Sequence, residues 1–234
     1  MVGAVTRRDE LAAGLAAVRE RVERACDRAG RDPAGVTVIV VTKTFPASDV
    51  RLLADLGVTD IGENRHQEAA AKVAECAGLP VRWHFVGQLQ TNKAGAVAGY
   101  ASVVHSVDRV RLVSALARGA EAAGRRVDCL VQVSLDDAPG RGGAAGADVM
   151  TVADGIAGSP ALRLAGVMAV APLGADPSPA FERLAGVAAA VRRRHPGADW
   201  VSAGMSGDLE AAVAHGATHL RVGSAILGER PSRV

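Results

Sequence analysis

The chain has 234 residues, of which 49% are hydrophobic and 22% charged, and its formal net charge is +2. That composition is globular, and so small a charge gives no global field to recruit nucleic acid or an anionic membrane. The cysteines Cys26, Cys76 and Cys129 are odd in number and widely spaced, without a C-x-x-C, which argues against a disulfide framework and fits a reducing compartment.

The first twenty residues, MVGAVTRRDELAAGLAAVRE, lack the apolar core and cleavage site of a signal peptide. No apolar run approaches the roughly 18 residues needed to cross a bilayer. A soluble, cytoplasmic chain is expected. Asp9–Ala29 then reads as a helix, with Leu11, Leu15, Val18, Val22 and Ala25 at helical spacing, stopped by Gly30 and Pro33. Residues 1–35 are expected to form a helical segment packed against the rest of the domain.

From Val36 onward, short apolar strands alternate with amphipathic helices. The expected order is strand Val36–Val41, helix 47–56, strand Thr59–Ile61, helix 65–76, strand Val81–Val86, helix 91–98 and strand Val103–His105. Helix 108–123, strand Val127–Val133, helix 146–157 and strand Leu162–Met168 come next. Helix 180–194, strand Trp200–Val201, helix 207–215 and strand His219–Val222 complete the series. Ser48, Asn64, Asp108 and Ser206 are candidate helix N-caps, because their side chains can accept from free backbone N–H groups. The stretch GRGGAAG, residues 140–146, reads as a mobile loop after the fifth strand.

Eight strands alternating with helices fit both a doubly wound open sheet and a closed (β/α)8 barrel. Eight units in about 200 residues favour the barrel as a single domain spanning 1–234. A barrel gathers its chemistry at the C-terminal ends of its strands. The polar clusters Thr42-Lys43-Thr44, Gly62-Glu63-Asn64, Gly87-Gln88, Ser106, Ser202 to Ser206 and Gly223-Ser224 all fall there.

Lys43 stands out because the chain has 24 arginines and only three lysines. A lysine whose pKa is lowered by desolvation or a nearby cation becomes a nucleophile and can form a Schiff base. The bland alternative is a lysine snorkelling from a strand end into water. Across the rim, the N–H groups of Gly223 and Ser224 and the Ser224 hydroxyl can cradle a phosphate at a helix start, with Ser206 on the neighbouring side. An amine facing a phosphate cup is what an aldehyde phosphate requires.

Other signals carry less. His215 and His219 flank Gly216 and need not converge on a metal. Arg192-Arg193-Arg194-His195 suits the negative end of a helix, and Trp83 and His84 read as rim packing. With three Phe, two Trp and one Tyr there is no interleaving of basic and aromatic residues for single-stranded nucleic acid.

In order along the chain, VTKTFP, IGENRHQE, WHFVGQLQTNK, SVD, GVMAVAP, SAGMSGDLEAAV and RVGSAILGER resemble the pyridoxal phosphate homeostasis proteins, single-domain relatives of the alanine racemase barrel. The resemblance covers about residues 36–230. It implies a (β/α)8 TIM-type barrel with an extra N-terminal helix. It further implies that Lys43 holds pyridoxal 5′-phosphate (PLP) as an internal aldimine. By the same resemblance Ser206, Gly223 and Ser224 bind the phosphate, Arg221 faces the pyridine nitrogen, and Asn64 lines the cofactor. A guanidinium beside that nitrogen makes PLP a poorer electron sink.

A two-base racemase needs a second base, and the one tyrosine, Tyr100, lies in a helix–strand connection. The expected function is therefore intracellular PLP buffering and delivery, with apo PLP-dependent enzymes as recipients. The chain is expected to be a monomer with no catalytic or metal-binding residue. The alternatives are a PLP-dependent amino-acid racemase or lyase, or a barrel holding another phosphorylated metabolite without covalent chemistry. Two positions depart from the family pattern: Arg65 replaces an aromatic, and Arg141 stands where a loop lysine is usual.

Overall fold

The computed structural model describes residues 5–135 and 142–229. Eight parallel strands form its centre: β1 (Thr37–Val41), β2 (Asp60–Glu63), β3 (Arg82–Phe85), β4 (Val103–Val107), β5 (Val127–Gln132), β6 (Leu162–Met168), β7 (Trp200–Ser202) and β8 (His219–Val222). Each pairs with the next, and β8 returns to β1 with Val38 opposite Leu220 and Ile39 opposite Arg221. That last pairing closes the barrel and excludes the open sheet.

Around it run α1 (Arg7–Ala29), α2 (Ala47–Asp55), α3 (His66–Glu75), α4 (Ala94–Ala98), α5 (Val110–Ala122), α6 (Asp148–Ala157), α7 (Ser178–Arg194), α8 (Leu209–Ala214) and α9 (Ser224–Leu227). The expected helix 91–98 divides into a 3₁₀ turn at Thr91–Lys93 and the short α4. No helix among the described residues is long and apolar enough to cross a membrane.

Helix α1 starts two residues earlier than its apolar period suggests, because Thr6 and Asp9 form a capping box. The Asp9 N–H donates to the Thr6 hydroxyl, and the Thr6 N–H donates to the Asp9 carboxylate. The helix buries Leu11, Leu15, Val18 and Val22. Its Arg21 grips Glu210 of α8 through two hydrogen bonds and donates a third to the Ser206 carbonyl. Its Arg7 donates to Asp49 and to the Leu227 carbonyl of α9. A Cβ on Gly14 would stand 2.6 Å from the Ile226 carbonyl oxygen, so only glycine lets α1 lie this close to α9. Helix α1 thus braces the two short elements at the end of the barrel.

The expected caps are corrected. Pro46, Arg65, Arg109 and Asp208 occupy the N-cap positions of α2, α3, α5 and α8, none with a side-chain cap bond. Ser48, Asn64, Asp108 and Ser206 do not serve there: Ser48 lies exposed within α2, Asn64 precedes the N-cap Arg65, Asp108 pairs with Arg109, and the Ser206 hydroxyl accepts from the Ala225 N–H. His84 is corrected too. It is buried inside the barrel and bonded to Asp60 and His105, while Trp83 joins the main core between strands and helices. His215 bonds to Ser178, whereas His219 bonds to Thr218 and lies against the Trp200 ring.

Candidate functional site

Strand β1 delivers Val41, Thr42 and Lys43 to the C-terminal mouth of the barrel. The chain turns at once through Thr44, whose φ of 72° lies in the left-handed region. A β-branched residue adopts that conformation only under constraint, and here the strain falls beside the half-buried Lys43.

The constraint is visible beneath the turn. Lys72 of α3 is buried, and its Nζ donates to the Thr42 carbonyl and to Glu63 Oε1. The Thr42 hydroxyl donates to the same carboxylate oxygen, while Glu63 Oε2 is buried with no hydrogen-bond partner. Burial pushes the Glu63 carboxyl upward, and Lys72 opposes that shift. A second of the three lysines therefore clamps the segment that presents the first. Sequence reasoning missed this clamp, although lysine on the inner face of an amphipathic helix was a signal for it.

Lys43 lines a cavity of about 390 Å³ together with Asn64, Ser206, Arg221, Gly223 and Ser224. The six candidate positions meet on one wall system, at a size suited to a small cofactor. Lys43 and Arg221 are the ionisable residues among its described lining. Tyr100 points elsewhere: its ring stacks on His66 at 5.9 Å, and burial pushes its phenol upward.

Beside β1, its paired strand β8 ends at Val222 and α9 begins at Ser224. Gly223 and Ser224 precede any intrahelical acceptor, so their N–H groups have no partner within the helix. A Cβ on Gly223 would stand 3.2 Å from the Val41 carbonyl oxygen, which keeps the cup close to β1. The Ser206 hydroxyl accepts from the Ala225 N–H at 3.2 Å, so it tethers this loop to α9 rather than starting α8. Amide N–H groups, two hydroxyls, an amine and a guanidinium form a donor set that fits an anionic, aldehyde-bearing ligand.

Arg221 is buried, with Nη1 donating to the Ser202 hydroxyl at 2.6 Å and Nη2 to the Ala169 carbonyl at 2.9 Å. Burial lowers its pKa to about 10, which still leaves it a cation at neutral pH. Asn64 is fixed by close backbone packing: a Cβ on Gly87 would stand 2.0 Å from the Asn64 carbonyl oxygen. Gly87→Ala is expected to displace Asn64, lower stability by about 1–3 kcal/mol, and weaken ligand binding. Thermal melts with and without PLP measure both effects.

Arg65 is exposed at the start of α3 and lines a neighbouring cavity of about 440 Å³ with His66 and Lys93, separated from Lys43 by Asn64. Arg141 lies outside the described residues.

Residues 14–231 match the family described as alanine racemase, N-terminal domain. The pyridoxal phosphate homeostasis protein of Mycobacterium tuberculosis is 44% identical over 246 aligned positions, covering 97% of this chain and 95% of that one. The structure of PipY from Synechococcus elongatus with PLP bound superposes with a TM-score of 0.82 at 33% identity, over 93% of this chain and 100% of PipY. An alanine racemase from Streptomyces coelicolor shares the fold at 22% identity and a TM-score of 0.71, over 91% of this chain and 58% of the racemase.

Proposed function

This chain belongs to the alanine racemase N-terminal domain family and, within it, to the pyridoxal phosphate homeostasis proteins. On that premise we propose that it binds PLP at Lys43 and acts as a reversible cytoplasmic carrier of the cofactor. The observation that carries this reading is the single cavity in which Lys43, the Gly223-Ser224 turn and Arg221 converge without a second ionisable base among the described lining.

When bound, PLP supplies an electrophilic aldehyde and a phosphate. Ser206, Gly223 and Ser224 hold the phosphate through hydroxyl and backbone N–H groups. Lys43, presented by the strained turn after β1, is the nucleophilic amine, and Asn64 flanks the ligand. Arg221 would stand towards the ring nitrogen, where its positive charge would disfavour a proton by repulsion. That arrangement suits holding and release better than carbanion chemistry. Three free, buried cysteines fit a reducing cytoplasm, and apo PLP-dependent enzymes are the recipients.

A racemase of the same barrel type is the alternative, and hydrogen exchange separates the two. With L- or D-alanine in deuterated water, the PLP-loaded chain should give only substoichiometric exchange of the α-hydrogen. The same preparation should restore activity to an apo PLP-dependent enzyme. Exchange over many turnovers would assign it to the racemases.

A further inference from the structure

Five polar side chains run in series through the barrel interior. Arg221 Nη1 donates to Ser202 Oγ at 2.6 Å, and Ser202 Oγ lies 2.9 Å from His105 Nδ1. His105 Nε2 lies 2.9 Å from His84 Nδ1, and His84 Nε2 lies 2.8 Å from Asp60 Oδ1. The members come from β8, β7, β4, β3 and β2, and all five are buried. Arg221 lines the cavity with Lys43, whereas Asp60 lines a separate cavity of about 350 Å³ bordered by Thr37 and Val58.

We propose that Ser202, His105, His84 and Asp60 are positioning residues for Arg221, joined to it in one directed chain of hydrogen bonds that runs from the guanidinium to the carboxylate. The inference rests on the reading of Arg221 as the residue at the edge of the PLP ring.

The direction follows from the chemistry of the ends. A guanidinium only donates and an ionised carboxylate only accepts. Ser202 accepts from Arg221 and donates its hydroxyl hydrogen bond to His105 Nδ1. His105 then donates from Nε2 to His84 Nδ1, and His84 donates from Nε2 to Asp60. Both histidines are neutral Nε2–H tautomers, and every link has one donor and one acceptor.

With Asp60 ionised, the other arrangements that satisfy the links carry one histidine as an imidazolium: His84 beside Asp60 with His105 reversed and donating to Ser202, or His105 donating to both Ser202 and His84. Either places a further cation inside the barrel, in the same chain as Arg221. Burial lowers both histidines, His105 strongly, and selects the neutral chain. At the far end, burial alone would raise Asp60, but hydrogen bonds from His84 and Thr59 bring it below the ordinary range, so it is a carboxylate. Arg82 stands 3.7 Å away and adds to that effect.

The consequence for the site is pre-organisation. The Ser202 hydroxyl proton is committed to His105, so its lone pair stays directed at Arg221. With the Ala169 carbonyl on the other Nη, the guanidinium plane is fixed before any ligand arrives.

The test uses the full ¹⁵N-labelled chain without cofactor at neutral pH, and reads the imidazole nitrogens of His84 and His105. Both should carry the proton on Nε2 with a bare Nδ1; an Nδ1–H or an imidazolium at either residue overturns the proposal. Asp60→Ala removes the terminal acceptor and should populate the reversed tautomer at His105, two links away. It should also raise the Kd for PLP about fivefold. A purely structural Asp60 would leave the His105 pattern as in the wild type, and an unchanged pattern or an unchanged Kd overturns the proposal. Failure of the wild-type chain to bind PLP would overturn the functional reading instead, and the cofactor-free spectra still decide the chain of bonds.

Discussion

Lys43→Ala is expected to leave no borohydride-reducible adduct after incubation with PLP, and to lower affinity on the order of 100-fold, about 2.7 kcal/mol. The remaining binding is expected from the phosphate cup, whose donors sit on the turn between β8 and α9, on α9 and in the loop before α8 rather than on β1. Lys43→Arg separates charge from nucleophilicity. Guanidinium keeps the positive charge but does not deprotonate in proteins, so it should lose the adduct as completely as alanine does. Peptide mapping of the reduced wild-type protein should place the pyridoxyl group on Lys43. A reducible adduct persisting on this rim in Lys43→Ala would remove Lys43 from its role.

The second large effect lies one layer below. Lys72→Met keeps the aliphatic length of the side chain but removes the partner of Glu63, whose side chain is 1% exposed. Breaking a buried pair from one side costs about 3–5 kcal/mol, because the charge left behind is uncompensated. For a chain of this size the melting temperature should fall by roughly 6–20 °C. The pH dependence identifies the cause. Burial already raises the Glu63 carboxyl in the folded state, and loss of Lys72 raises it further. A carboxyl with a folded pKa above its unfolded one binds its proton more tightly when folded. The variant is therefore most handicapped at neutral pH and regains stability as pH falls through the folded pKa. A difference in melting temperature that stayed constant from neutral to acid pH would show that the loss is packing alone. Glu63→Gln combined with Lys72→Met should recover part of the loss, since an amide is cheaper to bury than an unpaired carboxylate. Lys72→Met should also weaken PLP binding, because the Thr42 carbonyl loses the donor that steadies the Lys43 turn.

Much of this architecture was legible residue by residue. The strands Leu162–Met168 and His219–Val222 have the bounds that their apolar runs suggest, and the other six differ by one or two residues at one end or both. Helix starts were less legible. The reciprocal Thr6–Asp9 box was overlooked, and four polar residues were given a capping role that the fold does not use. Capping propensity is a local preference of about 1 kcal/mol, and at Asp108 and Ser206 the contacts with Arg109 and with the Ala225 N–H take its place. The site positions were legible because a barrel collects whatever immediately succeeds its strands. Asn64 and Gly223 come directly after β2 and β8, and Lys43 is the second residue after β1.

The sequence by itself determined what depends on neighbours a few residues apart: the alternation of strand and helix, the lysine at a strand end and the glycine-serine turn. Those signals survive in one dimension because hydrogen-bond geometry and side-chain period act over three or four residues. Only the tertiary structure decided which polar strand residues face one another. His84 meets Asp60 across 24 positions of chain and His105 across 21, while His105 meets Ser202 across 97. The same holds for Lys72, whose role exists only because α3 packs beneath the end of β1. Burial makes such groups costly unless each finds a partner, and barrel closure sets where those partners lie.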